Sequence, residues 1–215
     1  MALTDVRAGV ATAPPSPAAL LLHPSNLLTY GALCAGVAAA MAAVRGDAAG
    51  TGLGIATAMI ADTFDGRFAR RFARSPMQRA FGVQLDSLAD AVNAGLVPVV
   101  ALAALAGRPS GAAAALWWAA ACLYVACAVT RLGYYNLTHE NDRWFVGLPT
   151  PVPALLVATA LLSPPGAWPA AALLAGCGVA MVAPLRVPRP RGAGLAAFAG
   201  WALLLVVLHG ARLVG

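Results

Sequence analysis

The chain has 215 residues, of which 60% are hydrophobic and 10% charged, with a mean hydropathy of +0.77. A soluble domain carries about 25% charged residues, so there is too little polar surface here to coat a globule of this size in water; the composition excludes a soluble protein and requires a membrane one. The net charge of +6 then points to anionic headgroups and anionic substrates as partners, and away from nucleic acid.

In chain order, residues 1–23 hold Pro14, Pro15 and Pro17 and then Leu20 to His23. They lack the uninterrupted apolar core of a signal peptide, which predicts a flexible or interfacial N-terminal segment. Low-charge windows at 27–44, 51–68, 82–106, 112–132, 151–162, 169–185 and 194–209 predict seven spans, with six as the fallback. The fifth is short for a crossing and is expected to extend back toward Phe145. Trp117, Trp118, Tyr134, Tyr135, Trp144 and Phe145 read as interfacial aromatic anchors, and His209 as a span-end residue. Cys34, Cys122, Cys127 and Cys177 lie in apolar runs without a C-x-x-C pair and read as small buried residues.

Orientation follows from arginine, which supplies all 14 basic residues. With the N-terminus inside, Arg7, Arg67, Arg70, Arg71, Arg74, Arg79, Arg131, Arg143, Arg186, Arg189 and Arg191 face the cytoplasm, against Arg45, Arg108 and Arg212 outside. The positive-inside rule selects that arrangement. It predicts a multi-pass protein of the cell membrane whose chemistry faces the cytoplasm.

Half of the eight acids fall in one window. Asp62 and Asp65 are three apart near the end of the second run, and Gly82, Asp86 and Asp90 are four apart at the start of the third, so each set shares one helix face. Two antiparallel helices joined by a short loop bring the four carboxylates together. Unpaired, each would cost about 2.5 to 3.5 kcal/mol at mid-membrane. A divalent cation, or two, removes the repulsion, and an all-oxygen ligand set suits Mg2+ or Mn2+. Gly66 and Gly82 leave bare backbone beside the carboxylates, and Arg70 offers a planar fork for phosphate oxygens. Metal, glycine and arginine together suggest a diphosphate ligand.

The pattern Asp62-x-x-Asp65-Gly66-x-x-Ala69-Arg70, then Gly82-x-x-x-Asp86-x-x-x-Asp90, resembles the signature of the CDP-alcohol phosphotransferases. These are integral membrane enzymes with a six-helix core that generally form homodimers and displace CMP from a CDP-linked alcohol by a second alcohol's hydroxyl. The resemblance implies an all-α membrane fold with that six-helix core, to which the count of seven spans adds one extra C-terminal helix. It also implies two metal ions held by Asp62, Asp65 and Asp86, with Asp90 near the metals as general base, and a CDP site lined by Asp62, Gly66, Arg70 and Gly82. On this reading 24–190 is the membrane domain and 191–215 a C-terminal transmembrane helix of the same domain. One departure is visible: eleven residues, 71–81, separate Arg70 from Gly82, where the common family spacing is eight.

Further stretches are similar to the phosphatidylserine synthases of this family: Asn26-Leu27-Leu28-Thr29 after Pro24, Arg131 through Asn136, and Phe145-x-Gly147-Leu148-Pro149-x-Pro151. Asn93 and Ala94 depart from the usual Ser-Phe, and Gly133 and Tyr134 from Ala-Arg. This implies CDP-diacylglycerol and L-serine as substrates. Arg131 is then a candidate for the serine carboxylate, against a snorkelling interfacial role, and Asn136 is a second acceptor candidate. Inositol phosphate or glycerol phosphate as acceptor is the near alternative, and extra cationic ligands would mark it. A divalent-cation transporter is the alternative of a different class; it would place its carboxylates near mid-membrane on broken helices.

Overall fold

The computed structural model describes residues 15–107, 109–138, 144–188 and 192–215. Apolar segments in lipid must satisfy their own backbone hydrogen bonds, and nearly every element is accordingly a helix. A short helix α1 (Pro17–Leu21), capped by the Ser16 hydroxyl, and a 3-10 turn (Pro24–Asn26) lead into α2 (Leu27–Val44). The Asp47 carboxylate caps α3 (Ala48–Ala69). Helix α4 (Pro76–Asp90) starts with a reciprocal cap, in which Ser75 and Gln78 each bind the other's backbone, and with Pro76 in the first turn. It runs through a π-helical turn (Ala91–Leu96) into α5 (Val97–Leu105). Then follow α6 (Ala112–Thr138), β1 (Trp144–Val146), α7 (Pro151–Ala160), α8 (Ala167–Val182), β2 (Arg186–Pro188) and α9 (Ala193–Val214).

Each of the seven apolar windows is largely helical. Four segments, Pro24–Val44, Pro76–Leu105, Ala113–Thr138 and Ala193–Val214, are long and apolar enough to cross a membrane, and α7 and α8 are shorter apolar helices. This is a multi-pass, helical membrane architecture. It departs from an all-α reading at one place: β1 and β2 pair antiparallel, Trp144 opposite Pro188 and Val146 opposite Arg186. The fifth span therefore does not reach back to Phe145, which lies in β1. Gly147 adopts φ 77°, its N–H donates to the Leu185 carbonyl at 2.8 Å, and a Cβ there would run into the Met181 carbonyl. That turn returns the chain from β1 to α7 and needs glycine.

Small residues set the packing that positions the site. On α2 Ala32, Gly36, Ala39 and Ala43 are buried at spacings of three and four; Gly36 faces Asn93 of the π turn and Ala39 faces α3. A Cβ on Gly54 of α3 would lie 2.8 Å from the Ala39 Cβ and 2.9 Å from the Ala35 carbonyl oxygen. The two backbones thus approach as closely as glycine allows, the packing that replaces the hydrophobic effect in lipid. One consequence is that Thr29 of α2 reaches Asp65 of α3.

Helix α9 packs chiefly on α3, and its polar side chains serve the end of α7. A helix of ten residues leaves its last carbonyls without intrahelical partners. The His209 Nε2 pairs with the Ala158 carbonyl at 2.9 Å, Arg212 donates to the Leu162 carbonyl, and the Trp201 indole donates to the Thr159 hydroxyl at 3.1 Å. His209 is fully buried against Gly52, not a span-end residue in the headgroups. Trp117 is also buried, so of that pair only Trp118 has the exposure of a belt residue, and Cys34 and Cys122 are exposed while Cys127 and Cys177 are buried.

The buried Tyr124 of α6 donates its hydroxyl to the Ala94 carbonyl in the π turn at 2.8 Å. Tyr124→Phe strands that carbonyl and is expected to cost about 1 to 3 kcal/mol. Chemical unfolding in detergent, compared with the parent protein, checks the value.

Candidate active site

The site lies between the last turns of α3, which carry Asp62 and Asp65, and the last turns of α4, which carry Asp86 and Asp90. Oxygens of Asp62, Asp65 and Asp86 come within 4.8 Å of one another, as the three- and four-residue spacings require once the two helices fold back about the loop at 70–75. The Asp90 carboxyl faces that of Asp62, one turn beyond Asp86. All four expected aspartates are therefore brought together. The buried Thr29 hydroxyl donates to Asp65 Oδ2 at 2.7 Å and fixes the orientation of that carboxylate. A cluster of carboxylates, one of them already held by a hydroxyl donor, has the hard all-oxygen donor set of a Mg2+ or Mn2+ site, and the residues fit a divalent ion.

Two cavities meet at this cluster and share Asp65 and Asp86. The first, about 200 Å³, is lined by Ser25, Asn26, Gly66, Arg70, Arg74 and Gly82, among others. It holds the three expected CDP residues Gly66, Arg70 and Gly82; Asp62 lines the second cavity instead. A Cβ at Gly66 would meet only the Arg70 guanidinium, at 3.6 Å, and one at Gly82 only Arg74, at 3.5 Å, and Asn26, at 3.9 Å. Protein packing tolerates a methyl at both. Gly82→Ala is expected to raise stability by up to about 1 kcal/mol, as alanine is the better helix former, while weakening nucleotide binding. Thermal unfolding and CDP titration of the same variant check the two opposed effects.

The second cavity, about 350 Å³, contains Asp62, Asp86, Asp90, Ser87, Arg131, Tyr135 and Asn136. Arg131 is 7% exposed, which rules out the snorkelling role. Its guanidinium lies 5.5 Å from the Tyr135 ring centroid and 5.4 Å from that of Phe145, a two-ring cation–π setting. One of its nitrogens reaches the Thr150 hydroxyl at 3.4 Å, and among the described residues its Nε has no hydrogen-bond partner. Tyr135 and Phe145 thus shape the site, and the strand pair β1–β2 holds Phe145 there. Asn136 also lines the cavity, and its amide donates to the Ser87 hydroxyl at 2.7 Å.

A family model described as CDP-alcohol phosphatidyltransferase matches residues 22–188. The chain belongs to this family. Among its CDP-alcohol phosphatidyltransferase relatives, it is 34% identical over 139 residues to the CDP-diacylglycerol–serine O-phosphatidyltransferase of Mycobacterium tuberculosis, an overlap covering 60% of this chain and 46% of that protein. To the protein of the same name from Mycobacterium leprae it is 35% identical over 147 residues, 64% and 46% of the two chains. To the archaetidylserine synthase of Methanothermobacter thermautotrophicus it is 29% identical over 142 residues, 64% and 57%. The chain spans about half the length of the curated relatives it matches.

Within the family pattern, the longer 71–81 connection is put to use. Ser75 and Pro76 start α4 six residues before Gly82, and Arg79 donates to the Arg74 carbonyl at 2.6 Å. Arg74 is thereby placed over Gly82 in the first cavity. Sequence reasoning assigned no site role to Arg74, Thr29, Asn26, Tyr135 or Phe145. The Asn26-to-Thr29 and Phe145-to-Pro151 stretches were the available signal, since both belong to matched motifs.

Proposed function

We propose that the protein transfers a phosphatidyl group from CDP-diacylglycerol to L-serine, giving phosphatidylserine and CMP. The observation that carries this reading is the carboxylate cluster shared by two cavities, one basic and glycine-floored, the other holding a buried arginine. The first suits the nucleotide diphosphate and the second the acceptor. Among the described residues lining the second cavity Arg131 is the sole cation. A single guanidinium matches one carboxylate, whereas a phosphorylated acceptor would need more positive charge. The names of the relatives, serine transferases and an archaetidylserine synthase, favour the same acceptor.

Residues divide the work as follows. Asp62, Asp65 and Asp86, with Asp90 beside them, would hold two divalent ions. Bound there, Mg2+ or Mn2+ supplies charge neutralisation for the diphosphate and the CMP leaving group. Gly66 and Gly82 admit the pyrophosphate close to backbone, and Arg70 and Arg74 pair with its oxygens. Arg131 fixes the serine carboxylate, with its plane set by Tyr135 and Phe145, and Asn136 borders the same pocket. Asp90 accepts the proton of the serine hydroxyl as that oxygen bonds to the lipid-side phosphorus and the phosphorus–oxygen bond to CMP breaks. Most of the rate gain comes from positioning and preset charge.

The same reading makes 24–190 the membrane domain with a six-helix core and 191–215 its extra helix, with homodimers in the cell membrane and the site facing the cytoplasm. Among described residues, Arg67, Arg70, Arg71, Arg74, Arg79, Arg131 and Arg186 lie toward the carboxylate end of the helices, and Arg45 and Arg212 toward the other, which supports that orientation. Arg7, Arg108, Arg143, Arg189 and Arg191 fall outside the described residues, as does His139. A transporter is disfavoured by the family match over residues 22–188. An acceptor panel of L-serine, glycerol 3-phosphate and inositol phosphate, read as CMP release, tests the assignment. Serine is expected to be preferred; release only with a phosphorylated acceptor would refute it.

A further inference from the structure

The family match ends at residue 188, yet the site does not. Among the buried and half-buried positions of α9, Leu195, Phe198, Ala202, Leu205 and His209 recur at spacings of three and four and form one stripe. Ala202, Leu205 and His209 are fully covered by the rest of the protein. The first two members of the stripe, Leu195 and Phe198, instead line the cavity that contains Asp62, Asp86, Asp90 and Arg131. Phe198 packs edge-on against Trp201 one turn along α9, at 6.4 Å between centroids, and Trp201, His209 and Arg212 tie α9 to the end of α7.

The lining of the cavity is mixed. Carboxylates, Ser87, Asn136 and Arg131 supply its polar groups, and Pro151 and Val152 of α7 with Leu195 and Phe198 of α9 are among its apolar ones. Its volume of about 350 Å³ is near the lower limit for small-ligand sites, too small to enclose two acyl chains. A ligand with a charged phosphate, an ester-linked glycerol and apolar chains fits such a space only if the chains leave it past an apolar wall.

We propose that Leu195 and Phe198, on the C-terminal helix outside the family-matched region, are specificity-determining residues for the lipid donor. They form the wall on which the glycerol esters and the first acyl methylenes lie. This rests on the CDP-diacylglycerol reading above but not on serine as the acceptor. Each acyl methylene that no longer lies against the wall corresponds to about a fourfold weaker binding.

The test is equilibrium binding to full-length protein in detergent, comparing CDP-dioleoylglycerol with CDP-glycerol, which carries no chains. Phe198→Ala and Leu195→Ala/Phe198→Ala are expected to weaken the dioleoyl donor about tenfold or more and CDP-glycerol less than twofold. Phe198→Leu, which retains apolar bulk and does not depend on tolerating a cavity, is expected to stay within about threefold of the parent for both. Variants that lose both ligands equally, or neither, would overturn the wall and leave the donor reading standing. Parent protein that binds neither ligand would overturn the donor reading and the wall together.

Discussion

Asp90→Asn is expected to lower turnover by about three orders of magnitude while leaving the affinity for CDP-diacylglycerol within a few-fold of the parent. The substitution keeps the shape of the side chain and removes its ability to accept the serine proton, and positioned general bases contribute about 10²- to 10⁴-fold. The carboxylate faces the cavity that holds Arg131 and lies at the junction of α4 and the π turn. It therefore sits on the acceptor side, whereas Asp65 and Asp86 border both cavities. Steady-state CMP release together with donor binding separates the two effects. A variant with full turnover would refute the general-base role.

Arg131→Leu is expected to reduce kcat/KM for L-serine by about 100-fold, chiefly through KM. A charge-assisted hydrogen bond is worth about 1.5 to 3 kcal/mol, and a carboxylate on a guanidinium takes two. The residue is buried and held between two rings, and among the described residues its Nε has no hydrogen-bond partner. The selective readout is CMP release with ethanolamine, an acceptor without a carboxylate, supplied in place of serine, which the substitution should change by less than about threefold. Equal losses with both acceptors would assign Arg131 to the folding of the site instead. Arg131→Lys should recover only part of the serine activity, because a point charge cannot reproduce the planar fork.

The helices were legible in the sequence because lipid leaves the backbone few options, and a drop in charge marks each apolar run. The carboxylate cluster was legible for the complementary reason: in a chain with so few charges, acids at spacings of three and four on neighbouring helices stand out. Less could be read where tertiary contacts decide. Phe145 was assigned to a lengthened span or an aromatic belt, yet three residues of pairing with β2, 42 positions away by the Phe145–Val187 register, place it over Arg131. Thr29 reaches Asp65 through the close approach of α2 and α3 at Gly54, a contact that small residues permit but do not announce. His209 looked like a helix end because nothing local tells that the carbonyls of α7 need a donor there.

The joining of a CDP-linked lipid to a small amino-acid alcohol, where the two cavities meet at the aspartate cluster, is the step on which every other assignment depends. It is tested most directly by following labelled L-serine into organic-extractable lipid with purified protein, CDP-diacylglycerol and Mg2+ or Mn2+. The account predicts one labelled lipid per CMP released, with both products lost on chelation and restored by adding back the ion. Labelled lipid formed at an undiminished rate in the chelated protein, or CMP released with no label entering lipid, would contradict it.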